Sequence, residues 1–173
     1  MGKKYKFLEP DAIFINGRPL FRIQAMKDIR DEKGNVIVKS GDFGGYISEE
    51  RNLSQKGSCW VHRNSKVFGD ARVQDNAQIK GESEISENAA AFGNSVITDT
   101  ILKGYARAYG NAKLLRCTAA NLAKLHGNAV LLRCRIYGYA EVYGNTYAQN
   151  KDVRTNITEP GKSGRFSDGR GGK

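Results

Sequence analysis

The chain has 173 residues, of which 39% are hydrophobic, and a formal net charge of +10, so it is long enough for one domain with a buried core. It has no apolar run near about 18 residues, which argues against a membrane-spanning helix, and its basic first residues lack the apolar stretch of a secretory signal. Three cysteines without a CxxC pair argue against a structural zinc site and favour a reduced, cytoplasmic chain.

Residues 1–58 are predicted to form a small β module. Asn16-Gly17 lies between two apolar runs, which is a strong hairpin signal, and KGN at residues 33–35 predicts a second turn. Solenoids need a covered end for solubility, and an open strand edge invites aggregation. We therefore expect this module to cap the repeats that follow; a role in recognition is the alternative.

From Cys59 the chain divides into segments of six residues: CWVHRN, SKVFGD, ARVQDN, AQIKGE, SEISEN and AAAFGN. Each segment tends to begin with a small residue, to carry an aliphatic residue two places later, and to close with Gly, Asn or Asp. From residue 95 the segments run six, five, six, as in AKLLRC, TAANL, AKLHGN. Residues 59–94 thus form two blocks of 18, and residues 95–145 form three blocks of 17.

Three short segments in each block describe one triangular coil. Small and aliphatic side chains fill a narrow interior, and Gly and Asn tolerate the positive φ of the turns. Successive coils stack at strand spacing, about 4.8 Å, and their backbone groups pair between coils. The period therefore predicts an all-β parallel β-helix of about five coils over residues 59–145, with one corner shortened by a residue. A sandwich of evenly spaced strands is the alternative.

Residues 146–173 are predicted to hold a partial last coil and a tail. The sequence 146–157 is read as the beginning of a sixth coil. From Pro160 the sequence PGKSGRFSDGRGGK is Gly-rich and basic, which is typical of a mobile tail. Such a tail is either solvated or touches an anionic partner.

The repeat units resemble the hexapeptide repeat of the left-handed parallel β-helix, which implies a left-handed coil and a homotrimer. GGYI at 44–47, NLSQ at 52–55 and CWV at 59–61 are similar to the segment that leads into the repeats in one branch of that family. The branch includes uncharacterised phage and prophage proteins and an enterobacterial protein labelled as acetyltransferase-like. The resemblance implies no established activity.

The histidines limit the catalytic chemistry that this fold could support. The three-histidine metal site of the carbonic-anhydrase-like branch is not expected, because the chain has only His62 and His126, in different segments three coils apart. Acyltransferases of this fold use a histidine as general base, and His126 is the only suitable candidate. No loop insertion and no carboxylate neighbouring in sequence accompanies it. His126 shares its place in the coil with Phe92, Tyr109 and Tyr143, which predicts a stacked ladder of rings.

An anion-binding site is better supported, because the charge is polarised along the repeats. Residues 59–111 carry six basic and six acidic residues, whereas residues 112–145 carry five basic residues and one acidic residue. Arg116 and Arg133 lie at equivalent places one coil apart, where stacked like charges either point into solvent or share an anion. The candidate ligand-binding residues are Arg116, Arg133, Lys113, Lys124 and Arg135, with the rings of Tyr109, His126 and Tyr143 to stack on bases. A solvated basic face is the alternative.

Two further sets of residues are placed by the repeat. Aliphatic residues at outward or corner places predict a surface for self-association: Val96, Leu115, Val130 and Leu132. Cys117 and Cys134 stack one coil apart, and we expect small inward or corner residues there rather than a disulfide.

Together these features predict a non-catalytic, homo-oligomeric binding protein of phage or prophage type, without a cofactor. Its anionic partner is a nucleotide, a nucleic acid or an acidic protein surface. One specific version is a counter-defence protein that sequesters a nucleotide or blocks a nucleoprotein. The alternatives are an acyltransferase that uses acetyl-CoA and His126, and a structural component of a virion or of its assembly.

Overall fold

The N-terminal part of the chain is a small sheet built on a hairpin. Its strands are β1 (Tyr5–Ile15), β2 (Arg18–Ala25), β3 (Ile29–Arg30), β4 (Val36–Val38) and β5 (Phe43–Ile47). Asn16 and Gly17 join β1 to β2 with positive φ, as predicted for the hairpin turn. The strands β3 and β4 pair around the predicted second turn, and β5 pairs with β2. The computed structural model describes residues 2–157, so the tail predicted from Pro160 lies outside the described residues.

A short 3₁₀ helix, Glu50–Asn52, leads into the repeats, where the strands are only two or three residues long. In chain order these strands are β6 (Trp60–Val61), β7 (Lys66–Val67), β8 (Arg72–Val73), β9 (Gln78–Lys80), β10 (Glu84–Ile85), β11 (Ala90–Ala91), β12 (Val96–Thr98), β13 (Ile101–Leu102), β14 (Arg107–Ala108), β15 (Lys113–Leu115), β16 (Thr118–Ala119), β17 (Lys124–Leu125), β18 (Val130–Leu132), β19 (Arg135–Ile136), β20 (Glu141–Val142), β21 (Tyr147–Gln149) and β22 (Asp152–Val153).

These short strands stack into three parallel sheets, one for each side of the coil. Sheet I contains β6, β9, β12, β15, β18 and β21, and sheet III contains β8, β11, β14, β17 and β20. Sheet II contains β7, β10, β13, β16, β19 and β22, and it continues through β5 and β2 to β1. The architecture is a parallel β-helix, as the period predicted, and it has about six turns where the repeats of residues 59–145 alone gave about five. The strands β21 and β22 and the bridge between Val142 and Ile157 supply the predicted sixth coil.

The interior is filled by one aliphatic residue from each strand and small residues at the corners. In sheet I the stacked inward residues are Val61, Ile79, Ile97, Leu114 and Leu131, all fully buried. Burying one such side chain stabilises the fold by about 1.5–3 kcal/mol. Cys117 and Cys134 are buried, free thiols, and the Cys134 amide donates to Cys117 Sγ at 3.4 Å. They are small inward residues, as predicted.

The Gly-Asn pairs that recur every seventeen residues build the corner between sheets III and I. Gly110 has a φ of +64°, and a Cβ there would lie 3.0 Å from the amide nitrogen of Gly127 in the next coil, so both the backbone angle and the close approach favour glycine. Beside it, Asn111 Nδ2 donates to Asn128 Oδ1 at 2.9 Å, and Asn128 repeats this bond to Asn145. The repeated dipeptide therefore combines a tight turn with a side-chain hydrogen-bond ladder.

The residue missing from the 17-residue blocks is removed from the corner between sheets I and II. Lys80 is in register with Thr98 in sheet I, and Glu84 is in register with Ile101 in sheet II. The chain therefore uses three residues, 81–83, to turn this corner in one coil and two residues, 99–100, in the next. The tighter corner places one residue at positive φ in each later coil: Asp99, Arg116, Arg133 and Asn150.

The N-terminal hairpin is fastened to the first coil by buried polar groups. The Lys4 ammonium donates to the carbonyl oxygens of Cys59 at 3.0 Å and Lys56 at 3.2 Å, and Tyr5 Oη donates to Leu53 O at 2.7 Å. Burial lowers the pKa of Lys4. Such bonds satisfy backbone carbonyls that have no further coil above them. Within residues 2–157, no helix is both long and apolar enough to cross a bilayer.

Candidate anion-binding site

The structure distributes the predicted ligand-binding residues over several surfaces of the prism. Arg116 and Arg133 lie at the tight corner between sheets I and II. Lys113 lies on the outer face of sheet I, and Arg135 on the outer face of sheet II. The remaining four lie together on sheet III: Lys124, Tyr109, His126 and Tyr143. The corner arginines and the ring ladder therefore belong to different surfaces.

The two corner arginines are exposed and unusually placed. Their φ angles are +54° for Arg116 and +53° for Arg133, a region that costs most residues about 1–2 kcal/mol. Their backbone amides bond to the coil before, to Thr98 O at 3.0 Å and Leu115 O at 2.9 Å. Within the described chain, neither guanidinium forms an ion pair or a hydrogen bond. Two like charges are thus held one coil apart without a counterion from residues 2–157.

Arg135 lines a neighbouring cavity on sheet II. The cavity has a volume of about 580 Å³ and is lined by Asn121, Arg135, Tyr137, Gly138, Asp152 and Arg154. Asp152 is in register with Arg135 in the next coil and supplies one negative charge among these residues. The cavity opens towards the corner between sheets II and III, and neither Arg116 nor Arg133 lines it.

We predict that replacing Arg116 or Arg133 by asparagine stabilises the protein. Asparagine tolerates positive φ, and its neutral amide removes the repulsion between stacked guanidinium groups, so each change should raise the free energy of unfolding by about 1 kcal/mol. Urea unfolding followed by circular dichroism measures this. Arg107→Asn, within strand β14, is the matched control, and it should not stabilise, because asparagine is a poor strand residue. Equal effects at the corner and in the strand would contradict the prediction.

The ring ladder on sheet III is formed as predicted. Ring centroids lie 4.8 Å apart for Phe92 and Tyr109, 4.7 Å for Tyr109 and His126, and 5.4 Å for His126 and Tyr143, and all the planes are within 7° of parallel. The inner rings therefore cover each other's faces and expose only their edges. A base cannot insert between Tyr109, His126 and Tyr143 unless the rings separate, because each ring faces the next one.

A charged column runs beside the ladder. In sheet III, Arg107 is in register with Ala90 on one side and Lys124 on the other, and Arg72 is in register with Ala90 from the preceding coil. Arg72 and Arg107 are not among the residues predicted to bind a ligand, because they lie in the half of the repeats with balanced charge. Alignment of ARVQDN, ARAYGN and AKLHGN would have found them, since each has a cation at its second place.

His126 has a carboxylate partner that its sequence neighbours did not reveal. Its Nε2 lies 2.9 Å from Glu141 Oε1, which comes from the next coil, fifteen residues later. His126 Nδ1 has no hydrogen-bond partner among the described residues, and it is not a buried atom. The other histidine, His62, lies after β6 in sheet I and bonds Gln78 Oε1 at 2.9 Å. Burial lowers the pKa of His62.

No group of three or more metal-ligating side chains is found in the part of the chain that the structure describes. The chain matches no protein-family model and no curated protein. The basic corner and the outer face of sheet III are the two surfaces that bring the predicted ligand-binding residues together.

Proposed function

We propose that this chain is a non-catalytic, cytoplasmic binding protein that engages nucleic acid with its basic corner. One observation carries the proposal: Arg116 and Arg133 are stacked at positive φ without a partner among residues 2–157. Strained residues persist where the surroundings or a function compensate for their cost. Guanidinium groups bind phosphate through paired hydrogen bonds, and a bound phosphate would remove the repulsion between the two arginines.

The distribution of the other cations favours an extended polyanion over a compact ligand. Arg135 lies on sheet II and Lys124 on sheet III, so positive charge continues around the C-terminal coils beyond the corner arginines. The whole chain carries a net charge of +10. Phosphate contacts dominate the affinity of proteins for nucleic acids, and they do not require an enclosed pocket. A polynucleotide following this surface meets several of these cations at once.

Fluorescence anisotropy with a labelled single-stranded DNA, an RNA of the same sequence and a DNA duplex tests this proposal. We expect binding of at least one of them that weakens steeply with salt, because each phosphate contact releases counterions. The double variant Arg116→Glu/Arg133→Glu should bind about tenfold more weakly or worse, and the salt dependence of its binding should be shallower.

Lys27→Glu/Lys39→Glu is the matched control, since it makes the same charge change at exposed positions of the N-terminal module. It should retain most of the affinity. If the corner and control variants lose affinity equally, the attraction is a property of net charge and the corner is not a site. Absence of binding to all three probes at low salt would exclude the proposed function.

We also propose that the chain self-associates through the outer face of sheet I, as a homotrimer. Apolar side chains lie there in adjacent coils: Val96, Leu115, Val130, Leu132 and Tyr147. Leu115 is 39% exposed and Tyr147 is 58% exposed in the single chain, and contiguous exposed apolar surface is typical of an interface.

Native mass spectrometry of the gently purified protein gives the oligomer mass and any bound mass together. A monomer would contradict the assembly, and Leu115→Lys should shift a trimer towards monomer.

The pairing of His126 with Glu141 supports a second candidate function, acyl transfer from acetyl-CoA. Glu141 orients the imidazole through Nε2, so that Nδ1 would accept the proton of an attacking amine or hydroxyl. The nucleophile would then displace the thiolate of the coenzyme. Calorimetric titration with acetyl-CoA tests this candidate, with His126→Ala and Glu141→Gln for comparison. Without acetyl-CoA binding by the wild-type protein, the candidate is excluded.

A further inference from the structure

Sheet III carries a groove that the basic corner does not explain. Among the outward residues of the charged column, Ala90 is the only small one, and it lies in register between Arg72 and Arg107 within residues 2–157. The missing side-chain volume leaves a groove of about 430 Å³ at this point. That volume falls within the range of small-molecule sites, about 300–1,000 Å³. The groove is therefore large enough for a small organic ligand.

The two arginines beside the groove are available to a ligand. Within the described residues, neither Arg72 nor Arg107 forms an ion pair. The acidic residue in the groove, Asp70, is paired with Arg51 at 2.9 Å, and Arg51 also contacts Glu49. Strand spacing of about 4.8 Å places the Cα atoms of Arg72 and Arg107 about 10 Å apart, with Ala90 between them. A dianionic group above Ala90 could thus be reached from both sides.

Aromatic side chains form the two walls of the groove. Phe92, the first ring of the ladder, lies on one side, and Tyr105, at the corner between sheets II and III, lies on the other. The Tyr105 side chain is 57% exposed, and its ring stacks on no other ring among residues 2–157. Its face is therefore free to cover a planar group, unlike the inner rings of the ladder.

We propose that this groove binds a phosphate monoester carried on a planar ring system, of which a 5′-mononucleotide is the common example. The phosphate lies over Ala90 between the guanidinium groups of Arg72 and Arg107, each of which presents paired donors. The base lies against the exposed face of Tyr105, and stacking of a base on an aromatic side chain contributes about 1–3 kcal/mol. The site is separate from the basic corner and does not depend on binding there.

Isothermal titration of the purified full chain with AMP, GMP, CMP and UMP tests the proposal. We expect at least one mononucleotide to bind. Its affinity should exceed that of inorganic phosphate and of the matching nucleoside by about tenfold or more, because only the nucleotide contacts both the arginine pair and the Tyr105 ring. Ala90→Phe fills the groove without changing charge, and it should weaken binding about tenfold or more. The double variant Arg72→Gln/Arg107→Gln should also weaken binding about tenfold or more. Both arginines are exposed, so this variant tests the proposal even if Ala90→Phe does not fold.

Two controls separate this site from the other proposal. Thr118→Phe places the same phenylalanine side chain at an outward position of sheet II and should leave nucleotide binding unchanged. The corner variant Arg116→Glu/Arg133→Glu should also leave it unchanged, while Ala90→Phe should leave binding of the long oligonucleotide probes intact. The proposal is overturned if none of the four nucleotides binds, if phosphate alone binds as tightly as the best nucleotide, or if Ala90→Phe and the double glutamine variant both bind like wild type.

Discussion

Asn52→Asp is expected to lower the free energy of unfolding by about 3 kcal/mol, although the two side chains have nearly the same shape. Asn52 is fully buried, and its amide Nδ2 donates to the carbonyl oxygens of Gly69 at 3.0 Å and Ala71 at 2.9 Å. Its Oδ1 accepts from Ser48 Oγ and from the Glu49 amide, both at 2.8 Å. A carboxylate would place negative charge against two carbonyl oxygens inside the protein, where unpaired charge is costly.

Urea unfolding followed by the fluorescence of Trp60 measures this effect, because the chain has one tryptophan and it is buried in the first coil. Asn64→Asp is the matched control. Asn64 is exposed in a turn, so its replacement should change the free energy of unfolding by no more than about 0.5 kcal/mol. If Asn52→Asp lowered the free energy of unfolding no more than this control, the hydrogen bonds of Asn52 would not be stabilising the start of the β-helix.

Gly45→Ala is expected to destabilise the protein by about 3 kcal/mol through a direct clash. A Cβ at Gly45 would lie 2.3 Å from the carbonyl oxygen of Ser65, 2.6 Å from that of His62 and 2.8 Å from Val61 Cγ1. Two of these atoms belong to the backbone of the first coil. They cannot move aside as the end of a flexible side chain can, so β5 and β7 would have to separate locally.

Gly34→Ala distinguishes this clash from ordinary loss of glycine flexibility. Gly34 has a φ of +84°, and nothing lies within 4 Å of the position of its Cβ. Its replacement should therefore cost only the strain of positive φ, about 1 kcal/mol. The midpoints of thermal unfolding of the two variants show whether the clash or the loss of flexibility destabilises Gly45→Ala. A Gly34→Ala variant as unstable as Gly45→Ala would contradict the explanation by a clash.

Gly45 and Asn52 belong to the segment that leads into the repeats, and their contacts give this segment a structural role. Gly44 and Gly45 allow β5 to lie against the first coil, and Asn52 joins the 3₁₀ turn to the backbone of the next coil. The GGYI and NLSQ motifs therefore close the start of the solenoid. They contribute to folding, and the candidate binding surfaces lie elsewhere.

Sequence alone determined the architecture, because every coil repeats the same physical requirements. A small residue at each corner, an aliphatic residue inside and Gly-Asn at one turn recur with a period of seventeen, and that recurrence predicts three parallel sheets. The ring ladder of Phe92, Tyr109, His126 and Tyr143 followed for the same reason. Residues at equivalent places in successive coils must be neighbours when the coils stack in register.

Only the tertiary structure decided which of these columns share a surface. The side chains of Arg116 and Arg133 are directed by a corner that is one residue shorter, where φ is positive, and this separates them from the rings on sheet III. Glu141 meets His126, and Ala90 opens a groove between Arg72 and Arg107, through contacts between coils fifteen to eighteen residues apart. Periodicity predicts that such residues stack, but the direction of a side chain depends on the backbone angles of the turn and on the volume of its neighbours in the adjacent coils.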